Sequence, residues 1–114
     1  MKVKEEEGER LLTLAVAMRE EDVDIVFHAR MEDDLPASPP AHYSMEVDIL
    51  CKNERVAQVV SRTFATTKMI ARCGDKDGFP HLTYTQTLGD VVGAESSFNE
   101  RLADFKVTIY SIAV

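Results

Sequence analysis

The pattern of apolar and polar positions divides the chain into alternating helical and extended stretches. Leu11, Leu14, Ala15 and Met18 fall at the i, i+3, i+4, i+7 spacing of one helical stripe. From Val23 to Met31 the period changes to two. Val23, Ile25, Phe27, Ala29 and Met31 alternate with Asp24, Val26, His28 and Arg30. Tyr43 to Cys51 repeats the alternation, with Tyr43, Met45, Val47, Ile49 and Cys51 against Ser44, Glu46, Asp48 and Leu50. Such alternation predicts strands with one buried face. Pro36, Pro39 and Pro40 lie between the two and cannot donate to a ladder, so 32–42 reads as an exposed hairpin loop.

Asn53 stands where it can cap a second helix. Val56, Val59, Val60, Thr63, Phe64, Thr67, Ile70 and Ala71 recur at helical spacing, and Gly74 offers a stop. Gly74 to Pro80 reads as a turn by composition. Leu82, Tyr84, Gln86 and Leu88 then alternate with Thr83, Thr85 and Thr87, which predicts a third strand. Ser97 and Glu100 have capping-box spacing and mark a short helix or turn over 97–103. The β-branched and aromatic run from Phe105 to Val114 reads as a last strand, apolar on both faces. The chain ends inside it.

The expected order is helix, strand, strand, helix, strand, strand. It predicts an α+β fold: a mostly antiparallel four-stranded sheet with the helices packed on one face, nearest to a ferredoxin-like sandwich. Residues 1–8 are charged and read as a flexible arm, leaving 9–114 as a single domain.

Composition narrows the function classes. The net charge of -7 opposes contact with phosphate backbones and anionic lipid, and no basic cluster offsets it, so neither nucleic acid nor membrane is expected as a partner. No apolar run approaches the ~18 residues of a membrane span, and the N-terminus lacks the apolar core of a signal peptide. Cys51 and Cys73 make no disulfide framework. These features point to a reducing, cytoplasmic setting.

The chemistry-bearing residues converge on the polar face of the first two strands. His28, Arg30, Glu46 and Asp48 share it, and Thr83, Thr85 and Thr87 can join from the third. Histidine titrates near neutrality and arginine suits carboxylates, so this set is the candidate catalytic site of a lyase- or isomerase-type enzyme. In that reading His28 is the acid/base, Arg30 binds a substrate carboxylate, and Glu46 or Asp48 orients His28. Polar residues on alternate positions also describe a plain solvated sheet face. His42 and His81 border strands and are candidate metal ligands, though no ligand spacing accompanies them. Asp75 to Gly78 lacks the remaining ligands of a calcium loop, and no phosphate-binding or dinucleotide motif occurs, so no cofactor is expected. Cys51 points to the core as inert filler, and Cys73 falls at a helix end.

The favoured expectation is a non-catalytic accessory or oligomerising subunit, with a homo-oligomer or another protein as partner. Its main support is the last strand, whose second apolar face needs cover.

Overall fold

A computed structural model describes residues 1–33, 43–89 and 92–112. The chain forms β1 (Val3–Glu5), α1 (Arg10–Met18), β2 (Ile25–Asp33), β3 (Tyr43–Cys51), α2 (Glu54–Thr63), β4 (Ile70–Lys76), β5 (Phe79–Gly89) and α3 (Ala94–Ile112). The α+β class is as expected from the sequence. The sheet is five-stranded and mixed, in the order β1-β2-β3-β5-β4, and not four-stranded. β1 runs parallel to β2, and the other neighbours are antiparallel.

The two clear alternations form the centre of the sheet. β2 and β3 pair without interruption from Ile25–Cys51 to Asp33–Tyr43. Ile25, Phe27, Met45, Val47, Ile49 and Cys51 enter the main core with Leu82 and Tyr84 of β5. On this face α2 contributes Val56, Ala57 and Val60, and α3 contributes Phe105 and Ile109. The Phe105 ring stacks on Phe64 at 4.9 Å and tilts against Phe27 at 5.3 Å. A smaller core on the opposite face joins Leu14, Ala15, Ala17 and Met18 of α1 to Val23, Val26 and Leu50. The helices therefore occupy both faces, against the expectation of one. The residues responsible are Val26 and Leu50, apolar interruptions of the polar face that only a helix can cover.

Four further expectations are corrected. Val3–Glu5, read as part of a charged arm, form an edge strand. Lys2 accepts from the Ile25 backbone (3.2 Å), and the Glu6 amide donates to Phe27 (3.0 Å). Their charges are paired in space: Lys4 with Glu6 and Glu20 at 3.1 and 2.8 Å, and Glu5 with Lys106 of α3 at 2.9 Å. α1 is thus the crossover that a parallel β1–β2 pair requires.

The second helix stops at Thr63 and does not reach Gly74. Asn53 does cap it, accepting from the Val56 amide at 3.0 Å. Thr63 and Thr67 bond back to the Val59 and Phe64 carbonyls at 2.8 Å, closing the last turn where β-branched residues favour leaving the helix.

Ile70–Lys76 become β4, joined to β5 by a two-residue turn. Asp77 and Gly78 both have positive φ, 52° and 86°, as a type I′ hairpin demands. Only this pair is the turn. Pro80 sits in β5 beyond the last β3 partner, Leu50–His81, so its missing N–H interrupts no ladder there.

The region read as a last strand is helix α3. Phe98, Leu102, Phe105, Ile109 and Ile112 share one stripe toward the core. Apolar residues on both faces of a supposed strand were the footprint of that stripe. Glu32 and Asp33, read as the start of the hairpin loop, belong to β2, and the rest of that loop, with His42, falls outside the described residues. No described helix is long and apolar enough to cross a membrane.

Candidate functional site

The strand register lays the polar face out in rows. His28, Asp48, Thr83 and Arg72 form one row from β2 to β4. Arg30, Glu46, Thr85 and Ile70 form the next, and Val26, Leu50, His81 and Gly74 flank the first on its other side. The face holding His28, Arg30, Glu46 and Asp48 is the one expected from alternation. Arg30 meets Glu46 across the hairpin, whereas Asp48 meets His81 and not His28.

Asp48 is the centre of the arrangement. It is only 4% exposed, and neighbouring Thr83 is 6% exposed, so this is no solvated surface. The Asp48 Oδ1 lies 3.0 Å from His81 Nε2 and 3.1 Å from Thr83 Oγ1. An ionised carboxylate only accepts, so Nε2–H and the threonine hydroxyl both donate to it. Burial pushes the Asp48 carboxyl up, but these two hydrogen bonds and the nearby His81 and Arg30 charges outweigh it, and the net shift is downward. A charged group this buried is tolerable because its donors are in place.

His28 takes no part in that contact. Its Nδ1 donates to the Glu6 carbonyl at 2.9 Å, tying β2 to the segment after β1. Arg30 is held by Glu46 at 2.6 Å and by Glu32. Burial opposes the guanidinium charge, and the two glutamates more than restore it. The Glu32 carboxyl is raised, by burial first and by the Glu46 charge second. Arg30 Nε is buried and has no hydrogen-bond partner among the described residues. With both its guanidinium ends engaged, Arg30 is a strut of the sheet more than a substrate clamp.

His81, a candidate metal ligand by sequence, instead forms a dyad with Asp48. With Nε2 donating to the carboxylate, Nδ1 is the ring nitrogen that Asp48 does not engage. Thr83 Oγ1 also lies 3.1 Å from Nε2. A relay to a nucleophilic hydroxyl needs carboxylate and hydroxyl on opposite ring nitrogens. Here both meet at Nε2, so Thr83 is not activated as a nucleophile. Among the described residues, no group of three or more His, Cys, Asp or Glu is placed to hold a metal.

Arg72, Cys73, Gly74, His81 and Thr83 line a shallow recess of about 300 Å³ where this face meets β4. β4 itself is unlike the rest of the sheet. Every residue from Ile70 to Asp75 is exposed, and β4 is last in the strand order. Ile70 is 72% exposed. A charged, uncovered strand gives no alternation, and the helical spacing of Ile70 and Ala71 extends the expected second helix over Arg72 and Cys73. The Asp77–Gly78 pair was the available signal, because that dipeptide between extended runs specifies a hairpin. Cys51 is buried, with its thiol pushed up to about 12 by burial first and the Glu54 charge second.

Comparison with family models, curated proteins and solved structures finds no match to this chain.

Proposed function

We propose that this chain is a non-catalytic module of a cytosolic assembly, an accessory or oligomerising subunit whose contact is strand β4. The observation that carries the reading is the exposure of β4 on both faces at the edge of an otherwise covered sheet. An edge strand offers a row of backbone donors and acceptors to another strand. The segment read as an uncovered last strand is α3, so β4 takes its place as the element in need of a partner. The charge of -7 supports protein over nucleic acid or anionic lipid as that partner.

Native mass spectrometry of protein purified gently from its own cells tests this, together with hydrogen exchange of the same sample. A homo-oligomer or stoichiometric complex with slowed exchange at 70–76 is the expected result. A monomer whose β4 amides exchange freely at all concentrations overturns the reading.

One observation favours a second reading, a small-molecule enzyme. The buried Asp48 orients His81 beside the recess, so His81 and not His28 is the acid/base on this face. Arg72 takes the carboxylate-binding role in place of the engaged Arg30. If His81→Ala leaves a discovered turnover unchanged, this second reading fails.

A further inference from the structure

We infer that the partner of β4 is a second copy of this chain, paired antiparallel across a two-fold axis that passes through Cys73. The inference rests on the oligomerising reading above and commits it to one occupant and one register.

A two-fold axis normal to the sheet keeps like faces together, so opposed residues must share a face. Even-numbered positions of β4 lie on the His81 face and odd-numbered ones on the α2 face. That restricts the registers to steps of two. Centring on Cys73 is the one choice that pairs the whole of Ile70–Lys76. It sets Arg72 opposite Gly74, Ala71 opposite Asp75, and Ile70 opposite Lys76, with Cys73 facing its own copy. No like charges are opposed. Sliding by one step either way shortens the ladder and sets Arg72 against Arg72 or against Lys76. Like charges directly opposite are destabilising in antiparallel pairs. The charges on β4, which would deter indiscriminate edge pairing, thus select this alignment.

Side-chain fit supports the same register. A Cβ added to Gly74 would meet nothing within 4 Å, so Gly74 is a bare shelf next to His81. The incoming Arg72 side chain lies across that shelf. Neighbouring strands are ~4.8 Å apart, a span an arginine can bridge. The Lys76 stem covers Ile70, the most exposed apolar side chain of β4, while its ammonium stays in water.

Sedimentation on the purified full chain tests the proposal with two variants and a crosslink. Gly74→Arg opposes Arg72 of the other copy and is expected to weaken the dimer at least tenfold. Its circular dichroism should be unchanged, since the shelf is open. Adding Arg72→Glu in the same chain is expected to restore the dimer, because the introduced carboxylate then faces the introduced guanidinium of the other copy. Mild oxidation should link the wild-type dimer through Cys73, two thiols losing two protons and two electrons to the oxidant, and Cys73→Ser should abolish the link. A dimer indifferent to Gly74→Arg, or not restored by the second change, overturns this interface and leaves the oligomerising reading standing. A purified monomer at several hundred micromolar overturns the second copy as partner. The broader reading then survives only if native mass spectrometry finds a stoichiometric complex with another chain.

Discussion

Asp48→Asn is the most informative single change in the polar cluster. It keeps the shape of the side chain and removes only the charge. Hydrogen bonds to charged groups contribute roughly 1.5–3 kcal/mol each. Asp48 accepts two, from His81 and Thr83. Asparagine still accepts from Thr83 but presents an amide or a weaker acceptor to His81. Relief from burying a charge offsets part of the loss, so a destabilisation of about 2 kcal/mol at pH 7 is expected. The pH dependence follows from the direction of the shift. The folded carboxyl titrates below its ordinary value of 3.8, so the folded state binds fewer protons than the unfolded state in that range. Its stabilisation is complete above the unfolded value and disappears as pH falls through the folded one. The gap between wild type and Asp48→Asn should therefore be widest near neutrality and close progressively below about pH 4. Urea unfolding followed by far-UV circular dichroism at pH 7, 5, 4 and 3 measures both quantities. A variant within 0.5 kcal/mol of wild type at pH 7, or a gap that stays constant into acid, refutes the role assigned to Asp48 (about 0.5 kcal/mol being the spread expected of surface changes).

Other outcomes follow from the same geometry. Phe105→Ala should cost roughly 3–5 kcal/mol in urea unfolding, whereas Val107→Lys should be near neutral because Val107 is 73% exposed. Equal costs at the two positions would favour a strand over the helix. Ellman's reagent at pH 8 should titrate exposed Cys73 quickly and Cys51 only in concentrated urea, since a thiol pushed up to about 12 carries almost no thiolate at that pH. Rapid reaction of both in native protein would contradict the burial of Cys51. Asn53→Ala should cost about 0.5–2 kcal/mol through loss of the bond to the Val56 amide, read from the urea midpoint, and Asn53→Asp should retain most of it. An Asn53→Ala variant with an unshifted midpoint would remove the cap from the account of α2.

The sequence by itself determined the centre of this protein. Strands β2, β3 and β5 were legible because one of their faces is almost wholly apolar while the other carries mostly polar residues, and that difference writes a period of two into the chain. The start of α2 was legible at Asn53 because capping is local. The α+β class and the face shared by His28, Arg30, Glu46 and Asp48 followed from those elements. Tertiary structure decided what lies at the margins. β1 has three residues, and its charges are satisfied by Glu20 and Lys106, which are distant in sequence. β4 buries almost nothing, so no hydrophobic period reports it. α3 reads as a strand because Val107, Thr108 and Ile109 favour strands locally, while packing of Phe105 against Phe27 and Phe64 and burial of Ile109 in the same core override that preference. The pairing of Asp48 with His81 in place of His28 depended on the β3–β5 register, which places residues 33 positions apart within 3.0 Å. Periodicity assigns a residue to a face of its own strand. Which neighbour it meets there depends on which strands adjoin and in what register, and those are properties of the assembled sheet.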